Sequence, residues 1–228
     1  MNKKLLVTFI SLLLVGLVFT ATPVLAQEEE DISIGGVSDA GVLPDSPFYF
    51  AKSWGRAIHS FFTFDAMEKA RLMLRFANED ALAIKKLCDR EKYQLAEKHS
   101  ERFQEQFQRA IQWVERARQE GKDVEELMGK LKENHLRQQR VLAGVLERVP
   151  EQAQEGILNA IVNSSVGLEN AIERVQMKHE MEQFREELNL QLNSVGEETR
   201  LRIQERLEAE LHKREGASVG ESQQRKTQ

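Results

Sequence analysis

The sequence predicts an all-α fold: an antiparallel up-and-down helical bundle, with an aromatic N-terminal helix packed on it and a helical C-terminal extension. Three observations carry this. Long stretches consist of Ala, Leu, Glu, Gln, Lys and Arg, the strong helix formers. Beyond Pro47 there is one further proline, Pro150. Apolar residues recur at helical spacing, and no segment alternates with period two.

Residues 1–26 read as a secretory signal peptide. Lys3 and Lys4 form a basic start, Leu5 to Phe19 an apolar run, and Val24 and Ala26 the −3 and −1 positions of a cleavage site. The run is shorter than the ~20 residues of a spanning helix. Cleavage near Ala26/Gln27 predicts a secreted or cell-envelope protein. Residues 27–43 are acidic and then Gly- and Ser-rich, and read as a flexible lead-in.

Residues 44–176 read as the bundle domain. Asp45 or Ser46 can cap a first helix, with Pro47 in its first turn. At about 100° per residue, Phe50, Trp54, Ala57 and Phe61 share one face, with Lys52, Arg56 and His59 opposite. Asp65 and Glu68 then predict a capped second helix. Its seam runs Met67, Ala70, Leu74, Ala77, Ala81, Ile84, Cys88. The third seam includes Ser100, Phe103, Phe107 and Ala110, and ends before Gly121. The fourth includes Leu131, His135, Gln138 and Leu142; a fifth helix follows Pro150 with Ile157, Ile161, Ser164 and Leu168. Short connections between consecutive helices imply opposed directions. Paired about their turns, Leu74 faces Phe107 and His135, Ala77 faces Phe103 and Gln138, and Ala81 faces Ser100 and Leu142. Residues 177–214 read as a charged helical extension, with too little apolar surface to stand alone. Residues 215–228 read as a disordered tail.

Charge and composition exclude several functions. Without the two leader lysines, 30 basic residues stand against 37 acidic ones, a net charge of −7. That disfavours nucleic-acid binding, which needs a basic footprint. The single cysteine, Cys88, forbids an internal disulfide and reads as a small hydrophobe in a seam. Three residues before His59, His99, His135, His179 and His212 stand Arg56, Ala96, Lys132, Gln176 and Ala209, so no Glu-x-x-His pair exists for a di-iron site. His179-Glu180 begins a zinc-protease motif, but Gln183 stands where its second histidine belongs. No phosphate loop or nucleophile elbow is present. These patterns assign no catalytic residue, metal ligand or cofactor.

Two features remain as candidate sites. His135 and Gln138 occupy seam positions, where a buried polar group needs a partner. They read as a register-fixing layer, or alternatively as a pH- or metal-responsive one. The second feature is aromatic. Residues 41–65 hold seven aromatics, Phe48, Tyr49, Phe50, Trp54, Phe61, Phe62 and Phe64, against six in all the residues that follow. They could plug the end of an Ala-rich bundle, touch a membrane surface through residues 47–64, or dock a protein partner. A plug expects Trp54→Ala to lower the melting temperature by several degrees.

The stretch AGVLPDSPFYFAKSWGRAIHSFFTFD, followed by KARLMLRFANED and later by VLERVPEQAQEGILNAI, resembles a bacterial and archaeal family of exported helical proteins, domain of unknown function 5667, over roughly residues 41–175. The resemblance implies an extracytoplasmic α-helical domain and brings no catalytic residues. The expectation is a non-enzymatic protein that binds an unknown protein partner or serves as a scaffold. The alternative is a stress-type helical chaperone or a metal or pH sensor.

Overall fold

Seven helices make up the fold seen in the computed structural model, which describes residues 33–175 and 178–224. They are α1 (Tyr49–Phe62), α2 (Ala66–Asp89), α3 (Tyr93–Gln119), α4 (Glu125–Leu146), α5 (Glu151–Arg174), α6 (Lys178–Leu192) and α7 (Glu197–Gln224). No strand occurs among the described residues; one isolated bridge pairs Ile34 with Val37. The expected leader, residues 1–26, lies outside them.

The helix boundaries follow local chemistry. Asp65 Oδ1 accepts from the amides of Met67 (2.9 Å) and Glu68 (3.1 Å), which caps α2 as the sequence predicts. The turn from α2 to α3 has neither Gly nor Pro; Glu91 itself takes the left-handed conformation, at φ 58°. Gly121 does so after α3, at φ 79°. Before α1, Ser46 Oγ accepts from the Phe48 amide (3.3 Å), so it caps a preceding turn and the helix proper begins at Tyr49.

Helices α2 to α5 form a closed ring in which α2 touches α3 and α4, and α5 touches the same two. Residue pairs set the directions. Lys69 lies 4.4 Å over the Trp113 ring and Asp80 lies 3.7 Å from His99, so along α2 and α3 one number rises as the other falls. Between α3 and α5 the numbers rise together: Gln104 with Asn163 (2.9 Å), Glu115 with Arg174 (2.7 Å). They do so again between α2 and α4: Asn78 with Gln138 (2.6 Å), Asp89 with Arg148 (3.4 Å). All nine residues of the three expected layers are buried, and the Phe107 and His135 rings sit 4.6 Å apart. Burial of these seams supplies the main favourable term.

The lead-in and the tail depart from expectation, whereas the extension packs on the bundle as a segment unable to stand alone must. The lead-in is not flexible over residues 33–43. Gly35 (φ 57°) and Gly36 (φ 79°) make a two-residue turn whose flanking amides and carbonyls exchange hydrogen bonds at 2.9 and 3.0 Å. Ile34, Ala40 and Leu43 are then buried, and Asp39 and Asp45 pair with Lys86 (2.5 Å) and Arg90 (3.0 Å). The extension is laid on the bundle. Phe184, Leu188, Leu192 and Ile203 are buried, and Arg185 forms two 3.0 Å hydrogen bonds to the Glu169 carboxylate. The last helix continues to Gln224, across residues expected to be a disordered tail. That stretch carries two glycines but no proline, and glycine weakens a helix without blocking it.

Candidate functional site

Helix α1 is turned the opposite way to the sequence expectation. Its polar side faces the bundle and its aromatic side faces out. Arg56 is buried, and its Nη1 donates to both oxygens of Asp80, at 2.8 and 3.0 Å. Nη2 donates to Glu79 (2.8 Å), and the guanidinium lies 4.7 Å from the Phe76 ring centre. Lys52 reaches Glu79 (3.3 Å) and also donates to the Ala40 carbonyl of the lead-in. Tyr49 places its hydroxyl 3.2 Å from His99 Nε2, and His99 lies 3.7 Å from Asp80.

Burial governs the charges in this cluster. It pushes the Asp80 carboxyl above its ordinary range, although Arg56 pulls the other way. It pushes the Lys52 ammonium down, helped by the neighbouring Arg56. It also pushes His99 down to about 3, and the nearby Arg102 and Arg56 cations act in the same direction. A neutral His99 can accept from the Tyr49 hydroxyl, so the cluster joins α1, α2 and α3 without a net unpaired charge.

The other side of α1 is open. Phe48, Phe50, Trp54, Phe61, Phe62 and Phe64 are between 63% and 81% exposed, and Ile58 is exposed beside them. Only Tyr49 of the seven candidate aromatics is partly covered, by the cluster just described. The core-plug reading is thereby overturned: the Ala-rich ring closes on its own phenylalanines, Phe103 and Phe107. Beyond α1, a surface pocket of about 490 Å³ opens between Phe62, Phe64, Arg71 and Arg75.

The two seam residues part company. His135 is fully buried, with Nε2 3.1 Å from Ser165 Oγ and its ring near Phe107 and Phe184. Burial pushes it down to about 3. Gln138 instead donates to Asn78 Oδ1 on α2 (2.6 Å), while Gln139 donates to Ser164 Oγ on α5 (3.0 Å). Gln139 Nε2 also lies 3.4 Å from His135 Nδ1, so the ties toward α2 and α5 start from adjoining side chains of α4. No group of three or more His, Cys, Asp or Glu among the described residues is placed to hold a metal ion. His179, from the partial zinc motif, has no described side chain. Burial pushes the Cys88 thiol up to about 11, away from the reactive thiolate. No helix among the described residues is long and apolar enough to cross a membrane.

Sequence reasoning found the aromatic residues but missed Glu79, Asp80 and His99. A signal was present. Asp80 stands three residues after the seam position Ala77 and directly before the seam position Ala81, and a carboxylate held beside such a seam needs a cation.

Neither a curated protein nor a solved structure matches the chain. One family model does, described as a domain of unknown function (DUF5667), over residues 41–152. It ends at the start of α5, short of the expected residue 175. The segment that carries α1, its ion cluster and α2 to α4 is the part of the chain that matches the DUF5667 family.

Proposed function

We propose that the chain is an exported, non-enzymatic binding protein that docks a protein partner through the aromatic face of α1. One observation carries this reading: six large aromatic side chains, four on α1 and one flanking each of its ends, are exposed to solvent, while the other side of the helix is clamped by ion pairs. Monomeric proteins rarely expose an apolar patch beyond roughly 300–600 Å² without using it. Aromatic residues bring large contact area with few torsions to freeze, and they dominate binding hot spots. The tripartite pattern of residues 1–26 supports export.

A photo-crosslinking amino acid in place of Trp54, activated on whole cells, tests the reading. The expected result is a discrete crosslinked protein band. Loss of the band when the same group is moved to Arg137, on the outer side of α4, would tie it to α1. An absent band at both positions contradicts the reading. The same exposed face also supports the chaperone alternative. That alternative predicts that the chain suppresses aggregation of a denatured client, and that Trp54→Glu abolishes the effect.

A further inference from the structure

The outward face of α1 invites a specific occupant, an identity that rests on the docking role just proposed. We propose that it is α1 of a second copy of this chain, the two aromatic faces meeting about a two-fold axis.

Area is the first argument. Aromatic side chains bring about 150–250 Å² each. Six of them, each roughly two-thirds exposed, offer on the order of 600–1,000 Å². A stable interface buries about 800 Å² per partner. The face is thus as large as a stable homodimer needs, without other elements.

Charge is the second. Helix α1 contains no Asp or Glu, and its Lys52 and Arg56 point inward to Glu79 and Asp80. Two copies can therefore meet without like charges at the centre, where protein interfaces are depleted of charge. A bilayer is the poorer fit. Interfacial helices keep Lys and Arg on their polar face to meet anionic headgroups. Here those cations are taken by the buried Asp80 and the half-buried Glu79, on a chain whose acidic residues outnumber its basic ones.

Gly55 is the third. It lies in the middle of α1 beside Trp54, and a side-chain carbon placed there would meet nothing within 4 Å. Packing inside the chain therefore gives no reason for a glycine that weakens the helix. Close approach of a second helix does. Ala51 stands one turn before it, so small positions alternate with Phe50, Trp54 and Ile58 as interdigitation requires.

Sedimentation of the protein, produced from the full 228-residue chain and followed from about 0.1 to 100 µM, tests the proposal. The mass should rise from one chain to two, and Trp54→Glu should remain a single chain throughout. Gly55→Leu makes the face more apolar but fills the gap, so it should weaken pairing at least tenfold. Unspecific stickiness predicts the reverse, and tighter association of Gly55→Leu overturns the proposal. So does a single-chain mass for the unaltered protein at every concentration. A single-chain mass together with a Trp54 crosslink to a different protein removes the second copy and leaves the docking role standing. Co-flotation of single chains with phosphatidylglycerol vesicles would assign the face to a bilayer instead.

Discussion

Arg56 on α1 grips both carboxylate oxygens of Asp80 on α2, at 2.8 and 3.0 Å, and both side chains are buried. This contact decides which side of the aromatic helix meets solvent. A buried ion pair is a weak source of net stability but a strong constraint on geometry, because each partner is costly to leave alone.

Removing one partner should therefore cost more than removing both. Arg56→Met leaves Asp80 buried without its cation and should destabilise the protein by about 3 kcal/mol. The pair Arg56→Met with Asp80→Leu should recover most of that loss. Thermal melting, with protease cleavage inside α1 as a local readout, checks both. Equal stability of the single variant and the unaltered protein would show that the pair does not hold α1.

The two buried histidines make stability depend on acid. His99 and His135 are pushed down to about 3 from an ordinary value of 6.5, so the fold favours their neutral forms. Their contribution is complete above pH 6.5 and is lost as pH falls from there toward 3. At pH 5 each should have lost about 2 kcal/mol. His135→Asn removes one titrating group and should cut the loss between pH 7 and pH 5 by about half. An unchanged loss would mean that His135 is not buried neutral.

The lead-in turn can be probed at its two glycines. A side-chain carbon on Gly35 would lie 2.2 Å from Asn134 Oδ1 and 2.7 Å from Asn78 Nδ2, at φ 57°. Gly36 has the same handedness, at φ 79°, but nothing within 4 Å. Gly36→Ala should cost about 1–2 kcal/mol through backbone conformation alone. Gly35→Ala should cost more, since the two asparagines must also move. Equal effects would contradict the packing of this segment against α2 and α4.

The bundle was legible because its information is periodic. Ala, Leu and Phe at spacings of three and four mark one buried stripe per helix, and the Asp65 cap and Gly121 turn mark the ends. The orientation of α1 was not legible, because the rule that the apolar side goes in assumes no stronger claim on the other side. Asp80 makes that claim, and it sits 24 residues away from Arg56 on another helix. Gly35 and Gly36 misled in the same way. Read locally they signal flexibility, yet their positive φ values build the turn that buries Ile34. His135 and Gln138 were found as buried polar positions, but pattern alone could not tell that one bonds toward α5 and the other toward α2.

The central claim is that α1 lies polar side in and aromatic side out, and the melting temperature of Trp54→Glu tests it most directly. Measured at submicromolar concentration, the variant should melt within about 2 °C of the unaltered protein, as an exposed substitution does. A fall of about 10 °C or more would place a buried charge at residue 54 and contradict the account.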